Sequence, residues 1–189
     1  MTLFFYTNGL LGSRKSQTYS NFNDFMYNLS YWSSWSNGFN IWKSEFDKID
    51  KNLKLNKLFP HTSLFLTQHQ AKLFCINDNL LFDVQRIPKR GGHNKFEAFT
   101  IEYPSLLDEC CKKGHISTKC KKHILFGIMV QFLPSILYNK YIIRIETFDD
   151  TGFRNNLKKY YPSYAYWLVL ISVLGVPFRL FCRKLKNKR

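Results

Sequence analysis

The sequence predicts an α+β protein: N-terminal helices and an antiparallel β-meander, followed by a C-terminal two-helix transmembrane hairpin. Three observations carry that expectation. Two apolar runs, over 124–138 (ILFGIMVQFLPSILY) and 164–178 (YAYWLVLISVLGVPF), lie in the last third of the chain with positive charge around them. Before residue 60 the apolar residues recur at helical spacing. After Pro60 they alternate, as half-buried strands require. The division expected is a basic cytosolic α+β domain over 1–115 and the hairpin with its basic tail over 116–189.

A helix crossing ~30 Å of hydrocarbon at ~1.5 Å per residue needs about 20 apolar residues. Each uninterrupted run has 15, and extension to Ile143 and Phe181 gives 20 and 18. The extended runs enclose Asn139, Lys140 and Arg179 near one end, where long cationic side chains can reach the headgroups. Tyr160, Tyr161, Tyr164, Tyr166 and Trp167 resemble an interfacial aromatic belt. Lys119, Lys121 and Lys122 precede the first run; Arg179, Arg183, Lys184, Lys186, Lys188 and Arg189 follow the second. The positive-inside rule then places both termini in the cytoplasm and the connecting loop outside, with the inner (plasma) membrane as the expected location. The competing reading is two buried helices of a soluble or multi-subunit assembly, since shorter apolar runs often mean that.

A net charge of +15 suits anionic lipid headgroups, nucleic acid or an acidic protein partner. An aromatic content of 17% excludes a disordered chain. The five cysteines are odd in number, and the opening residues lack a basic n-region and a cleavage site. A reducing, cytosol-facing domain without a signal peptide is expected.

Leu3–Phe4–Phe5–Tyr6 reads as a strand or arm, and Ser20 or Asn21 as the cap of a helix whose face is Phe22, Phe25, Met26 and Leu29. A second helix is expected over 40–57, with Trp42, Phe46, Ile49 and Leu53 facing the core. Strands are expected over 64–67, 72–76, 80–87 and 96–103, joined as a meander. Residues 105–113 form a short helix ended by Gly114, and Ser117 or Thr118 caps the first membrane helix.

The metal-ligand candidates are Cys111, His115, Cys120 and His123, with Cys110 beside them; their types suit zinc, but the paired C-x2-C knuckle is missing. The basic loop Lys89–Arg90–Gly91–Gly92–His93 could cradle a phosphate, yet it lacks the ending of a P-loop. Anionic partners, lipid or nucleic acid, are assigned to Lys89, Arg90, Lys95, Lys119, Lys121, Lys122, Arg183 and Lys184, with Arg14 and Lys15 in support. Cys75 with His61, His69 or His93 shows no elbow motif or ordered triad, so no catalytic residue, cofactor or small-molecule substrate is assigned. Within the hairpin, Gln131, Ser172 and Gly175 are the helix-association candidates: a polar amide at mid-depth and a small face. Pro134 and Pro177 would kink the two helices.

In layout alone, with no diagnostic residue, the chain resembles the small two-span membrane effectors of bacterial anti-phage systems, including some retrons. That resemblance implies an antiviral-defence toxin, held silent by a protein or nucleoprotein complex through its basic domain. On release it would self-associate and breach the membrane. The alternatives are a basic structural or RNA-binding subunit of a large assembly such as an organellar ribosome, and a membrane immunity or exclusion protein.

Overall fold

The computed structural model describes residues 2–83, 90, 91 and 94–187. The chain forms two compact units, one of Met1–Gln85 with Ser105–Ile124, the other of Arg86–Pro104 with Leu125–Arg189.

The first unit is built on a four-stranded mixed sheet. β1 (Thr2–Tyr6) and β2 (Ser16–Tyr19) precede α1 (Phe22–Leu29), β3 (Phe39–Asn40), α2 (Lys43–Phe46), α3 (Pro60–Leu66) and β4 (Leu73–Asn77). The strand order is β2-β4-β1-β3. β1 runs parallel to β4, with Phe4 opposite Cys75, while β2 and β3 are antiparallel to their neighbours. Asn21 caps α1 by accepting the Asp24 N–H at 2.8 Å, and Phe22, Phe25, Met26 and Leu29 are all buried. They meet Phe5, Phe65 and Phe74, with ring centroids 5.2 Å apart for Phe25–Phe74 and 5.3 Å for Phe5–Phe65. Each such ring contributes about 1.5–3 kcal/mol by leaving water, so this phenylalanine cluster is the unit's main cohesive element. It also explains Gly38, where an added Cβ would lie 2.2 Å from the Phe5 ring.

Asp78, fully buried just after β4, gathers the 7–15 loop. Its carboxylate accepts from Thr7 Oγ1 (2.6 Å) and from the backbone N–H groups of Leu11 (3.0 Å), Ser13 (2.8 Å) and Arg14 (3.0 Å). Burial alone would push this carboxyl up, but those bonds to the charged form outweigh it and hold it below the usual carboxylate range. The Asn8 side chain binds the strand's continuation, accepting from the N–H groups of Leu81 and Phe82 and donating to the Phe82 carbonyl at 2.8 Å.

In the second unit β5 (Arg90–Gly91) pairs in parallel with β6 (Glu146–Thr147). α4 (Lys95–Glu97) continues through a π-turn, Ala98–Glu102, into α5 (Tyr103–Lys112), which from Ser105 onward belongs to the first unit. α6 (Thr118–Gly127), which belongs to the first unit as far as Ile124, a π-turn at Ile128–Phe132, α7 (Leu133–Leu137) and a second π-turn at Tyr138–Ile143 form one helix of 26 residues. α8 (Phe153–Tyr160), α9 (Ala165–Leu174) and α10 (Val176–Asn187) complete the chain.

Three expectations are corrected. The transmembrane hairpin is not present: among the described residues only Thr118–Ile143 is long and apolar enough alone to cross a membrane. More than half of its most apolar window, 56%, is buried inside the protein, and Ile124, Ile128, Leu133 and Ile136 are core residues. α9 and α10 reach spanning length only together, and a 51° bend separates them. The antiparallel meander is also replaced. Of its expected strands only 72–76 is one, as β4; 64–67 lies in and just beyond α3 and 96–103 is helical, while part of 80–87 lies outside the described residues. Finally, the helix over 40–57 shrinks to one turn, and Trp42 (62% exposed) and Phe46 (51%) face solvent instead of the core.

Candidate functional site

The most unusual surface among the described residues is on α9 and α10. Tyr164, Trp167, Ile171, Leu174, Phe178 and Phe181 are all exposed, Leu174 by 82% and Phe178 by 71%. Their spacing alternates three and four residues throughout, as one helical face repeats, and the stripe they form turns by 51° where α9 gives way to α10. The opposite face packs inward: Ala165, Val169 and Val176 are buried, and α9 lies against α7 and the Ile128–Phe132 turn. A soluble surface seldom carries so many large apolar side chains in one patch unless something covers them.

Several contacts hold the stripe in place. At its start, the buried Tyr161 hydroxyl donates to the Phe99 carbonyl at 2.7 Å, and burial pushes this phenol well above its ordinary range. Arg154 lies 5.2 Å from the Tyr166 ring centre and 6.0 Å from that of Trp167. At the far end, the Arg179 guanidinium donates to the Val130 carbonyl and reaches toward the Ser172 carbonyl at 3.5 Å. The Val130 contact has a sequence cause. A helical carbonyl at position 130 would normally accept the N–H of residue 134, which is proline and has none. The helix answers with a π-turn at 128–132, and Arg179 supplies the donor. The bend between α9 and α10 falls at Gly175–Val176–Pro177, where proline again removes a helical bond.

The helix-association candidates do not converge on one contact. Gln131 is exposed on the Ile128–Phe132 turn, and Gly175 is exposed at the bend. An added Cβ at Gly175 would meet only the Ser172 carbonyl of the adjoining turn, at 3.5 Å. Ser172 is half-buried. The anionic-partner candidates scatter as well. Lys121 is bound to Asp108 at 2.7 Å, Lys95 lies 4.4 Å from the Phe148 ring centre, and Lys119 and Lys122 are exposed on α6. Arg90 belongs to β5, Arg183 and Lys184 to α10, Arg14 and Lys15 to the loop before β2; Lys89 lies outside the described residues, as do Gly92 and His93.

The metal candidates also take separate partners. Cys111 Sγ is 3.7 Å from Thr118 Oγ1, Cys120 donates to the Asn23 carbonyl at 3.6 Å, His123 stacks on Tyr27 at 4.0 Å, and His115 stacks on His69 at 3.5 Å. Among the described residues no three His, Cys, Asp or Glu side chains meet as a metal site. Burial first, then neighbouring thiols, pushes Cys110 up to about 12; burial first, then Asp24 and Cys111, does the same for Cys120. Both therefore stay protonated, and a protonated thiol is a poor ligand and a poor nucleophile.

Sequence reasoning found the apolar content of α9 but not its sidedness, because both faces are apolar. The signal that separates them is the small Ala165 on the inner face against Trp167, Ile171 and Leu174 on the outer. No family model matches the chain, and no curated protein or solved structure does.

Proposed function

We propose that this is a membrane-associated protein that docks on an anionic bilayer through the α9–α10 stripe and disturbs the leaflet it enters. The carrying observation is the exposed stripe running directly into a terminus with Arg179, Arg183, Lys184, Lys186, Lys188 and Arg189 and no acid. Apolar burial supplies affinity, and each cation near an anionic surface adds about 1 kcal/mol. Depth argues against crossing. The ten residues of α9 extend about 15 Å, and residues 165–182 extend about 27 Å only if straight, against ~30 Å of hydrocarbon. With the 51° bend the reach is shorter still, which supports an element that lies within one leaflet. A wedge in one leaflet spreads its lipids, which is the part of the effector reading that this geometry supports. The basic first unit would then be the partner-binding module.

Vesicle flotation tests this. The protein should float with vesicles of phosphatidylcholine and phosphatidylglycerol, less with phosphatidylcholine alone, and Ile171→Glu with Phe178→Glu should abolish floating. Failure of the wild type to float would overturn the reading. So would a concentration-dependent dimer in lipid-free sedimentation that the same double variant dissolves, since the stripe would then belong to a second copy.

A second reading has its own observation. Trp42 and Phe46 are exposed in a stretch that also carries exposed Lys43, Lys51, Lys54 and Lys57 among the acids Glu45, Asp47 and Asp50, side-chain types that can stack on and neutralise single-stranded RNA. Salt-sensitive RNA binding lost in Trp42→Ala, with flotation absent, would favour it.

A further inference from the structure

The first unit holds a cleft that the membrane reading leaves unused. It is a cavity of about 210 Å³, lined among others by Lys54, His69, Glu109, Cys110, Lys113 and His115. His69 follows α3 and His115 follows α5, and their rings lie face to face, centroids 3.5 Å apart and planes inclined by 13°. His69 Nδ1 sits 3.3 Å from the Leu66 carbonyl, so it carries a proton there and Nε2 is left as the basic nitrogen.

The groups facing this pair set its charge preference. Lys54 approaches from the segment after α2 and Lys113 from the end of α5. Glu109 is the one lining carboxylate, and Lys113 already binds it at 2.6 Å. Cys110 is a neutral thiol. Burial, then His69, then Lys113 hold His115 below the usual imidazole range. A proton on His115 is thus opposed by the ring stacked on it and by the ammonium of Lys113. The cleft sets two imidazoles among leucines, with Lys54 at its edge as a cation that has no ion-pair partner among the described residues.

We infer that the His69–His115 cleft binds a small phosphate-class anion and takes up a proton as it does so. The anion would stand before His69 Nε2 and the His115 ring with Lys54 at its side, making the imidazolium form favourable where it is now disfavoured. The cleft belongs to the first unit, so this inference does not depend on the membrane reading.

Isothermal titration calorimetry of the full chain without lipid tests it. Inorganic phosphate and glycerol 3-phosphate serve as probes, near pH 6 and near pH 8, in buffers of different ionisation heat. The protons that the probes themselves exchange on ionising in this range are subtracted first. The expected result is then proton uptake by the protein near pH 6 and about tenfold weaker binding of the same phosphate ionic form near pH 8. The two probes separate a free phosphate from a phosphomonoester such as a lipid headgroup. His115→Gln and His69→Gln should each lose proton-linked binding. Lys54→Ala, which leaves the stacked rings untouched, should weaken it, and Lys158→Gln on α8 should leave it unchanged. Circular dichroism of each variant separates loss of the site from loss of fold. Absence of binding by either probe, binding without proton uptake, or equal affinity in a folded His115→Gln variant would each overturn the inference.

Discussion

Two segments of similar composition, Thr118–Ile143 and α9–α10, meet opposite fates. The first presents Ile124, Ile128, Leu133 and Ile136 to the protein and becomes a core helix. The second buries Ala165, Val169 and Val176 but turns Trp167, Ile171, Leu174 and Phe178 outward. Hydropathy alone cannot separate them, because it counts apolar residues without asking what covers each face. The polar groups are more telling. Pro134 opens a carbonyl in the first segment, and Arg179 of the second, sitting beside the stripe, closes it.

The largest test of this contrast places a carboxylate in each segment. Ile128→Asp would bury an unpaired charge at a fully enclosed position and should cost about 4 kcal/mol or more, abolishing cooperative melting. Leu174→Asp, at an exposed position, should change stability by no more than about 0.5 kcal/mol while reducing vesicle flotation. Equal destabilisation by the two would erase the contrast.

A smaller effect is expected at the link between the segments. Arg179→Met removes the donor while retaining an apolar stem, and should cost about 1.5–3 kcal/mol in urea unfolding by leaving the Val130 carbonyl unanswered. An unchanged midpoint would show that the clip contributes nothing.

The smallest effect concerns pH in the first unit. Burial holds both His123 and His115 below the ordinary imidazole range, with His69 and Lys113 adding to the effect at His115. Below about pH 6.5 the unfolded chain therefore binds protons that the folded one refuses, so stability is intact above that value and falls as pH drops through the folded values. In phosphate-free buffer the melting midpoint should decline from pH 7 to pH 5. His123→Gln should flatten part of that slope, and an unaltered slope would refute its share.

Much of the first unit was legible because its signals are local. The Phe22–Phe25–Met26–Leu29 face, the Asn21 cap and the stop at Gly114 each depend on residues within one or two turns. The sheet was not, since β1 finds β4 across some seventy residues and no spacing rule reports that pairing. The misread 96–103 segment did carry a helical signal. Phe96, Phe99, Thr100 and Tyr103 are buried at i, i+3, i+4 and i+7, and Asn94 caps the helix by accepting the Glu97 N–H at 2.8 Å. Pro60 was likewise a first-turn helix residue rather than a boundary before strands. The exposure of Trp42 had no local sign, because an aromatic at helical spacing reads the same whether or not a partner element covers it. At the candidate site the apolar character of 164–181 was plain in the residues. Its bend depended on Gly175 and Pro177, and its one-sided burial on a distant helix.

The parallel pairing of β1 with β4 matters while the chain is being made. Residues 2–6 are synthesised well before their sheet partner, residues 73–77, and the unit also recruits Ser105–Ile124. Until then β1 has only the two-residue β3 (Phe39–Asn40) to pair with, so Leu3 and Phe5 wait on a greasy strand whose longer edge stays open. A ribosome stalled before residue 73 would therefore hold a protease-sensitive chain, and one stalled well past residue 124 a protected one.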